Sequence, residues 1–282
     1  MSQASPHIPF RKMHGLGNDF VVLDRRRHEL AVDAAVARAL ADRRTGIGCD
    51  QLILIEPPSH RAAQAFMRIL NADGSEAEAC GNASRCIAKL VAEETGDPHV
   101  RIQTIAGLLD AEVMSDGRVT VDMGPARTAW GEIPLARPMD TLRVDLALGA
   151  LAEPVCGNMG NPHATFFVAN AEAIDLAALG PKLEHDPLFP ERANIGVATV
   201  EGRERIRLRV WERGAGITRA CGTGACAALV AANRRGLTGR HAKLALDGGE
   251  LDILWRHDGH VMMTGPATLA YEGRFDPTSF VG

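Results

Sequence analysis

No run of basic residues breaks the near balance of this 282-residue chain, in which 31 Lys and Arg face 35 Asp and Glu for a formal charge of −4. That excludes the basic footprint of a nucleic-acid-binding protein. Long apolar runs are missing too. The least polar stretch, around "GTGACAALVAA", is too short to cross a bilayer, so no membrane partner is expected. The opening "MSQASPHIPFRKMHG" lacks the apolar core of a secretory signal, which points to the cytoplasm. No C-x-x-C occurs, and six cysteines (Cys49, Cys80, Cys86, Cys156, Cys221, Cys226) do not make a disulfide scaffold. Zinc is disfavoured by spacing: Cys80 and Cys86 lie about 240° apart around a helix, Cys221 and Cys226 about 140°. The "GLG" at 15–17 lacks the third glycine of a dinucleotide loop, since Phe20 stands in its place. No lysine sits in a recognisable pyridoxal phosphate motif. The reading therefore takes no cofactor and no metal. What the composition does offer, 46% apolar and 23% charged residues, is enough for an ordinary core in one large domain or two of usual size.

The chain is written twice. "RILNADGSEAEACGN" from Arg68 aligns without gaps with "RVWERGAGITRACGT" from Arg209, 141 residues later. "GNDF" at Gly17 has a counterpart in "GNPH" at Gly160, and "DGRVTVDMGPA" at Asp116 in "DGHVMMTGPA" at Asp258. These blocks, in the same order with nearly constant spacing, imply two homologous halves. The assigned halves are 1–130 and 131–282, with a loose, Pro-containing connection in 124–138 and the tail of about 268–282 a candidate to pack back on the first half. Each half reads as short strands, an amphipathic helix and a helix after the cysteine. The segment "ACAALVAA" is apolar on nearly every side, so its helix should be enclosed. The expected fold is α+β: two pseudo-symmetric halves, each a mostly antiparallel sheet curled around a central helix, with the active site in the cleft between them.

Cys80 and Cys221 stand at the mouths of those two helices. A first helical turn offers unpaired N–H groups and partial positive charge, which suit a carboxylate. Gly81 and Gly222 permit close approach, and Asn82 and Thr223 are of the type that caps a helix or donates to a bound oxygen. A cysteine there is expected to have a lowered pKa. A lone cysteine is more often a small buried hydrophobe, which suits Cys86, Cys226, Cys49 and Cys156. The duplicated position favours function for Cys80 and Cys221. Two thiols on opposite faces of a substrate suit stereoinversion, one removing a proton and the other returning one. Helix N-termini would stabilise the charge that spreads into the carboxylate.

Together "MHGLGNDFVVLD", "GIGCDQ", "NADGSEAEACGNASRC", "GNPHATFFV", "ERANIGV" and "ERGAGITRACGTGACA" resemble diaminopimelate epimerase. The resemblance implies interconversion of LL- and meso-diaminopimelate without pyridoxal phosphate, in lysine and peptidoglycan-precursor synthesis, by a homodimer. It implies Cys80 and Cys221 as the acid/base pair. It implies substrate contacts from Asn18, Gln51, Asn71, Gly81, Asn82, Asn161, Asn194, Glu212, Arg213, Gly222 and Thr223, with His163 and Glu212 tuning the cysteines. Alone, Asn18 and Asn161 would read as turn residues, Gln51 as a strand end and Glu212–Arg213 as a surface pair. The chain departs from the family pattern at Ala83, Ser84 and Ile217. The alternatives are a two-thiol racemase of another amino acid such as proline, or a non-catalytic amino-acid-binding protein.

Overall fold

A computed structural model describes residues 7–78 and 80–280. The chain divides into two compact units. The first runs to Val121 and resumes at Pro266; the second is Asp122–Gly265. The first contains β1 (Ile8–Gly15), β2 (Asn18–Asp24), α1 (Ala34–Ala41), β3 (Gln51–Glu56), β4 (Ala65–Asn71), β5 (Glu76–Ala77), α2 (Gly81–Thr95), β6 (His99–Thr104), β7 (Gly107–Val113) and the start of β8 (Val119–Pro125). The second contains β9 (Ala147–Leu148), β10 (Leu151–Ala152), β11 (Val155–Asn158), β12 (Pro162–Phe167), α3 (Leu176–Glu184), β13 (Asn194–Gly202), β14 (Arg205–Glu212), β15 (Gly216–Thr218), α4 (Gly222–Arg234), β16 (His241–Leu246), β17 (Gly249–Trp255) and β18 (His260–Gly265). The last strand, β19 (Thr268–Phe275), pairs antiparallel with β1 of the first unit.

The two units repeat one topology. In the first, β1–β2, β3–β4, β6–β7 and β7–β8 pair antiparallel, while β2–β3 and β4–β6 pair parallel. In the second, β11–β12, β13–β14, β16–β17 and β17–β18 are antiparallel, while β12–β13 and β14–β16 are parallel. In each, the far edge of the fourth strand is shared. One end carries the short strand (β5 or β15) that launches the helix, and the other carries the strand that follows it.

The physics of each element is local. Asp33 caps α1 by accepting from the backbone N–H groups of Ala35 and Val36, both at 2.9 Å. α2 ends at Gly96, whose φ of 75° is the left-handed stop that favours glycine. The strands β4, β6 and β14 alternate buried and less buried residues, placing one face on a core. α2 packs against β1, β4, β6 and β7, and α4 against all the long strands of its unit, so each sheet curls around its helix. Residues 224–232 of α4 are all buried, as its composition implies. Among the described residues no helix is long and apolar enough to cross a membrane.

Three differences from the sequence reading have physical causes. Residues 124–138 are not a loose tether: Ile133 and Leu135 belong to the apolar core of the second unit. α3 escapes sequence patterning because Pro181 lies inside it, where proline usually breaks a helix. β19 escapes because most of its residues are exposed and show no alternation.

Candidate active site

The two helix mouths are built alike. Cys80 is the N-cap of α2 (φ −149°, ψ 107°) and Cys221 the N-cap of α4 (φ −111°, ψ 108°), each extended just before the helix begins. The Cys80 carbonyl accepts from Ser84 N at 2.9 Å and that of Cys221 from Ala225 N at 3.0 Å, the first helical hydrogen bonds. Gly81 and Gly222 open the helices. Asn82 and Thr223, expected as possible caps, sit one position further in, and the cysteines take the capping position themselves. Thiol side chains are not among the favoured N-caps, so stability alone does not account for both.

In the first unit, the mouth is an amide cluster. Asn18 opens β2 after a two-residue turn in which Leu16 and Gly17 are left-handed (φ 58° and 85°). Its Oδ1 accepts from Asn82 Nδ2 at 3.2 Å and from the half-buried Cys80 thiol at 3.8 Å. Its Nδ2 donates to Asp50 Oδ2 at 3.0 Å. Asn82 Oδ1 accepts from Arg85 Nη2 at 2.8 Å. Nearby, Gln51 and Asn71 stand opposite each other on β3 and β4. Ser75 Oγ donates to Asp73 Oδ1 at 2.6 Å and accepts from Asn71 Nδ2 at 3.0 Å; Asn71 Oδ1 accepts from Gln51 Nε2 at 2.9 Å. Among the described residues, Gln51 Oε1 is a buried acceptor without a partner. Such an atom is costly unless a ligand supplies a donor.

In the second unit, Cys221 is 3% exposed. Its sulfur accepts from Gly224 N at 3.4 Å and lies 3.6 Å from Thr223 Oγ1. The expected lowering of its pKa does not hold. Burial, then the adjacent Glu212 carboxylate, push the Cys221 thiol well above its usual range, outweighing the Gly224 N–H and Thr223. The helix mouth is present, but desolvation is larger. Burial likewise raises Glu212, with hydrogen bonds from Thr218 and Cys221 partly offsetting it. A Cβ on Gly224 would come 3.1 Å from both Cys221 Sγ and Val210 Cγ2, a tight fit that presses on the sulfur. The other cysteines suit the inert reading, burial raising Cys49 to about 11 and Cys86 and Cys156 to about 12.

The remaining residues of this unit also converge. His163 Nε2 and Asn161 Oδ1 are 2.8 Å apart, and His163 lies beside Asn194 in the β12–β13 register. Burial, then the charge of Arg213, lower His163 to about 3, so its ring is neutral near pH 7. Asn194 Nδ2 donates to the Pro162 carbonyl at 2.9 Å, and its Oδ1 accepts from Arg213 N at 2.9 Å. Arg213 Nη1 donates to the Glu191 carbonyl at 2.9 Å.

Sequence reasoning passed over four supporting residues. Asp50 and Arg85 lie inside the motifs already quoted, so their position was the available signal. Gly224 lies inside another. Glu184 had none: it comes from α3, is 3% exposed, and accepts from Trp211 Nε1 at 2.7 Å and Gly214 N at 3.0 Å, anchoring the loop that carries Arg213.

The duplicated sheet-and-helix architecture recurs in solved structures. A structure described as a probable proline racemase from Agrobacterium radiobacter superposes with a TM-score of 0.69 at 18% identity, covering 97% of this chain and 95% of that one. A hydroxyproline epimerase from Agrobacterium vitis gives 0.68 at 17% identity, covering 97% and 92%. These likenesses establish the fold. The family model described as diaminopimelate epimerase matches residues 10–129 and 155–270. A diaminopimelate epimerase of Rhodospirillum centenum is 62% identical, covering 97% of this chain and 94% of the relative. One of Acidiphilium cryptum is 59% identical, covering 95% and 96%. The chain belongs to the diaminopimelate epimerase family.

Proposed function

We propose that the chain interconverts LL- and meso-diaminopimelate by cofactor-free proton transfer between two cysteines. The observation that carries this reading is that Cys80 and Cys221 are the N-caps of the equivalent helices of two repeated units. One cysteine, as thiolate, removes the α-proton; the other, as thiol, delivers a proton to the opposite face of the carbanion. Their protonation states are then exchanged, and the reverse reaction uses them in swapped roles. Gly81, Asn82, Gly222 and Thr223 lie in the first turns, whose N–H groups would meet the carboxylate as charge spreads into it. The buried thiol of Cys221, held protonated beside Glu212, suits the proton-donating role. Neutral His163 beside Asn161 can accept or donate a hydrogen bond without adding charge.

Diaminopimelate carries a second zwitterion at its distal end. The open acceptor Gln51 Oε1 suits an ammonium group, with Asn71 behind it. Arg213 suits a carboxylate, held in place through Asn194. A smaller amino acid would leave such groups unused. We further infer a homodimer in the cytoplasm; β19 leaves Leu269 and Tyr271 exposed for a second copy. Mass measurement in solution tests that point, and a monomer at working concentration would remove it.

The decisive experiment follows LL-diaminopimelate in D2O under reducing conditions, with Cys80→Ala and Cys221→Ala beside the wild type. Deuterium should enter the α-position together with inversion. Each variant should lose inversion by at least about a hundredfold. No exchange by folded, reduced wild-type protein would sink the assignment.

A further inference from the structure

Near Asn18 two side chains hydrogen-bond without ambiguity: a carboxylate only accepts and a guanidinium only donates. The two ends of an amide are alike in shape and are told apart by their partners. Here both amides are settled from their outer ends. Arg85 Nη2, 2.8 Å from Asn82 Oδ1, turns Asn82 Nδ2 toward Asn18. Asp50 Oδ2, 3.0 Å from Asn18 Nδ2, turns Asn18 Oδ1 toward Asn82 and the Cys80 sulfur.

Both anchors are themselves held. Arg85 is fully buried, and its Nε donates to the Pro266 carbonyl at 3.1 Å. The main chain leaves it a fitted slot, since a Cβ on Gly15 would come 2.7 Å from Nη2. Arg43 bridges Asp50 and Asp19, at 2.6 Å to each. Lys12 pairs with Asp19 from β1 at 2.5 Å.

We propose that Asp50 and Arg85 are positioning residues that set the polarity of the Asn18–Asn82 pair, so that an oxygen rather than an NH2 group faces the Cys80 sulfur. The proposal rests on Cys80 as one of the two acid/base groups and deepens that reading. An oxygen beside the sulfur accepts from the thiol; an NH2 group in its place would donate to a thiolate. Loss of either anchor lowers the cost of reversal: an amide at position 50 can meet the outer end of Asn18 with a donor or an acceptor, so it no longer forces the Asn18 oxygen toward the sulfur. The charged groups around the pair are Asp50, Asp19, Arg43, Lys12 and Arg85.

The test reads the sulfur without turnover. In a Cys221→Ala background, alkylation of Cys80 by iodoacetamide is timed at pH 7 by peptide mass spectrometry. Asp50→Asn, which keeps the shape but removes the obligate acceptor, should raise the rate by about threefold or more, because the thiolate is the nucleophile. Asp50→Glu should restore the slower rate. Arg43→Gln removes a partner of Asp50 while leaving its carboxylate, and should alkylate like the parent. With Cys221 present, Asp50→Asn should lower kcat by about tenfold, a fraction of what a general acid–base group contributes. The Asp50 side chain is 44% exposed, so its variants should fold, and thermal melting checks this. Equal alkylation in parent and Asp50→Asn, or acceleration that Asp50→Glu fails to reverse, overturns the proposal. Failure of the epimerase reading would be seen separately, as absent deuterium exchange in wild type whatever the alkylation rates.

Discussion

Cys80 and Cys221 hold the same place on α2 and α4, yet their surroundings differ. Cys80 is half-buried among amides, with Asn18 and Asn82 linked to Asp50 and Arg85. Cys221 is buried beside a carboxylate, which with desolvation holds its proton. At the third position past the cysteine the first mouth accommodates the methyl of Ala83, fully buried, whereas the second has Gly224 because a methyl would press on the sulfur. Duplication thus preserved the backbone geometry that sets an extended cysteine at the start of each helix, while the side-chain shell diverged. A reaction that inverts one carbon in both directions needs two acid/base groups, but it does not need identical settings for them.

The comparison breaks most sharply at Glu212. Glu212→Gln removes the charge that holds up the Cys221 thiol, so Cys221 should alkylate faster at neutral pH. If Cys221 is the proton donor as proposed, epimerisation should fall by about a hundredfold, since the donor is no longer matched to that task. Unchanged alkylation of Cys221 would show that burial alone governs it.

Next comes the space at the mouths. Gly224→Ala should lower kcat by about tenfold by displacing the Cys221 sulfur, part of the contribution of a positioned acid/base group, and should cost about 1–3 kcal/mol of stability through overpacking. Ala83→Gly, the pseudo-equivalent change, should leave kcat within about threefold, its effect being mainly the helix cost of glycine, about 1 kcal/mol of stability. Equal losses in the two variants would mean that the mouths are less different than their packing implies.

A smaller effect is expected at Glu184, which has no counterpart among the polar contacts of the first mouth. Glu184→Gln leaves one amide oxygen where two carboxylate oxygens served Trp211 and Gly214. KM should rise by about fivefold, with kcat nearly unchanged, as the Arg213 loop loses part of its anchor. A fall in kcat without a change in KM would contradict a role in binding.

The smallest effect at neutral pH is that of His163. Its folded-state value of about 3 lies below the ordinary 6.5, so the unfolded chain binds the proton first as pH falls. Stability is therefore whole above about pH 6.5 and is lost between there and pH 3, at up to about 1.4 kcal/mol per unit. His163→Gln should flatten the acid limb of the melting-temperature profile relative to wild type. Parallel acid limbs would show that the ring is not held neutral.

Much of this was legible in the order of residues. The offset repeat announced two like units, and the nearly unbroken apolar run of α4 marked it as enclosed, because burial on all sides leaves no polar face. The repeated Cys-Gly pairs drew attention to both helix mouths. Less legible were α3, hidden by Pro181, and β19, which is held by backbone pairing to β1 rather than by a buried side-chain face. Hydrogen bonds between backbones leave little trace in side-chain pattern.

By itself, then, the sequence determined the duplicated α+β plan, the family and the cysteine at the start of each central helix. Those features follow from local periodicity and from motifs contiguous along the chain. Tertiary structure alone decided which way Cys221 shifts, that Arg85 is buried against Asn82, and that Glu184 supports the Arg213 loop. Desolvation and hydrogen-bond polarity depend on what the fold brings near a group. Residues remote in the chain, such as Glu184 and Gly214, acquire a common purpose only when packing brings them together.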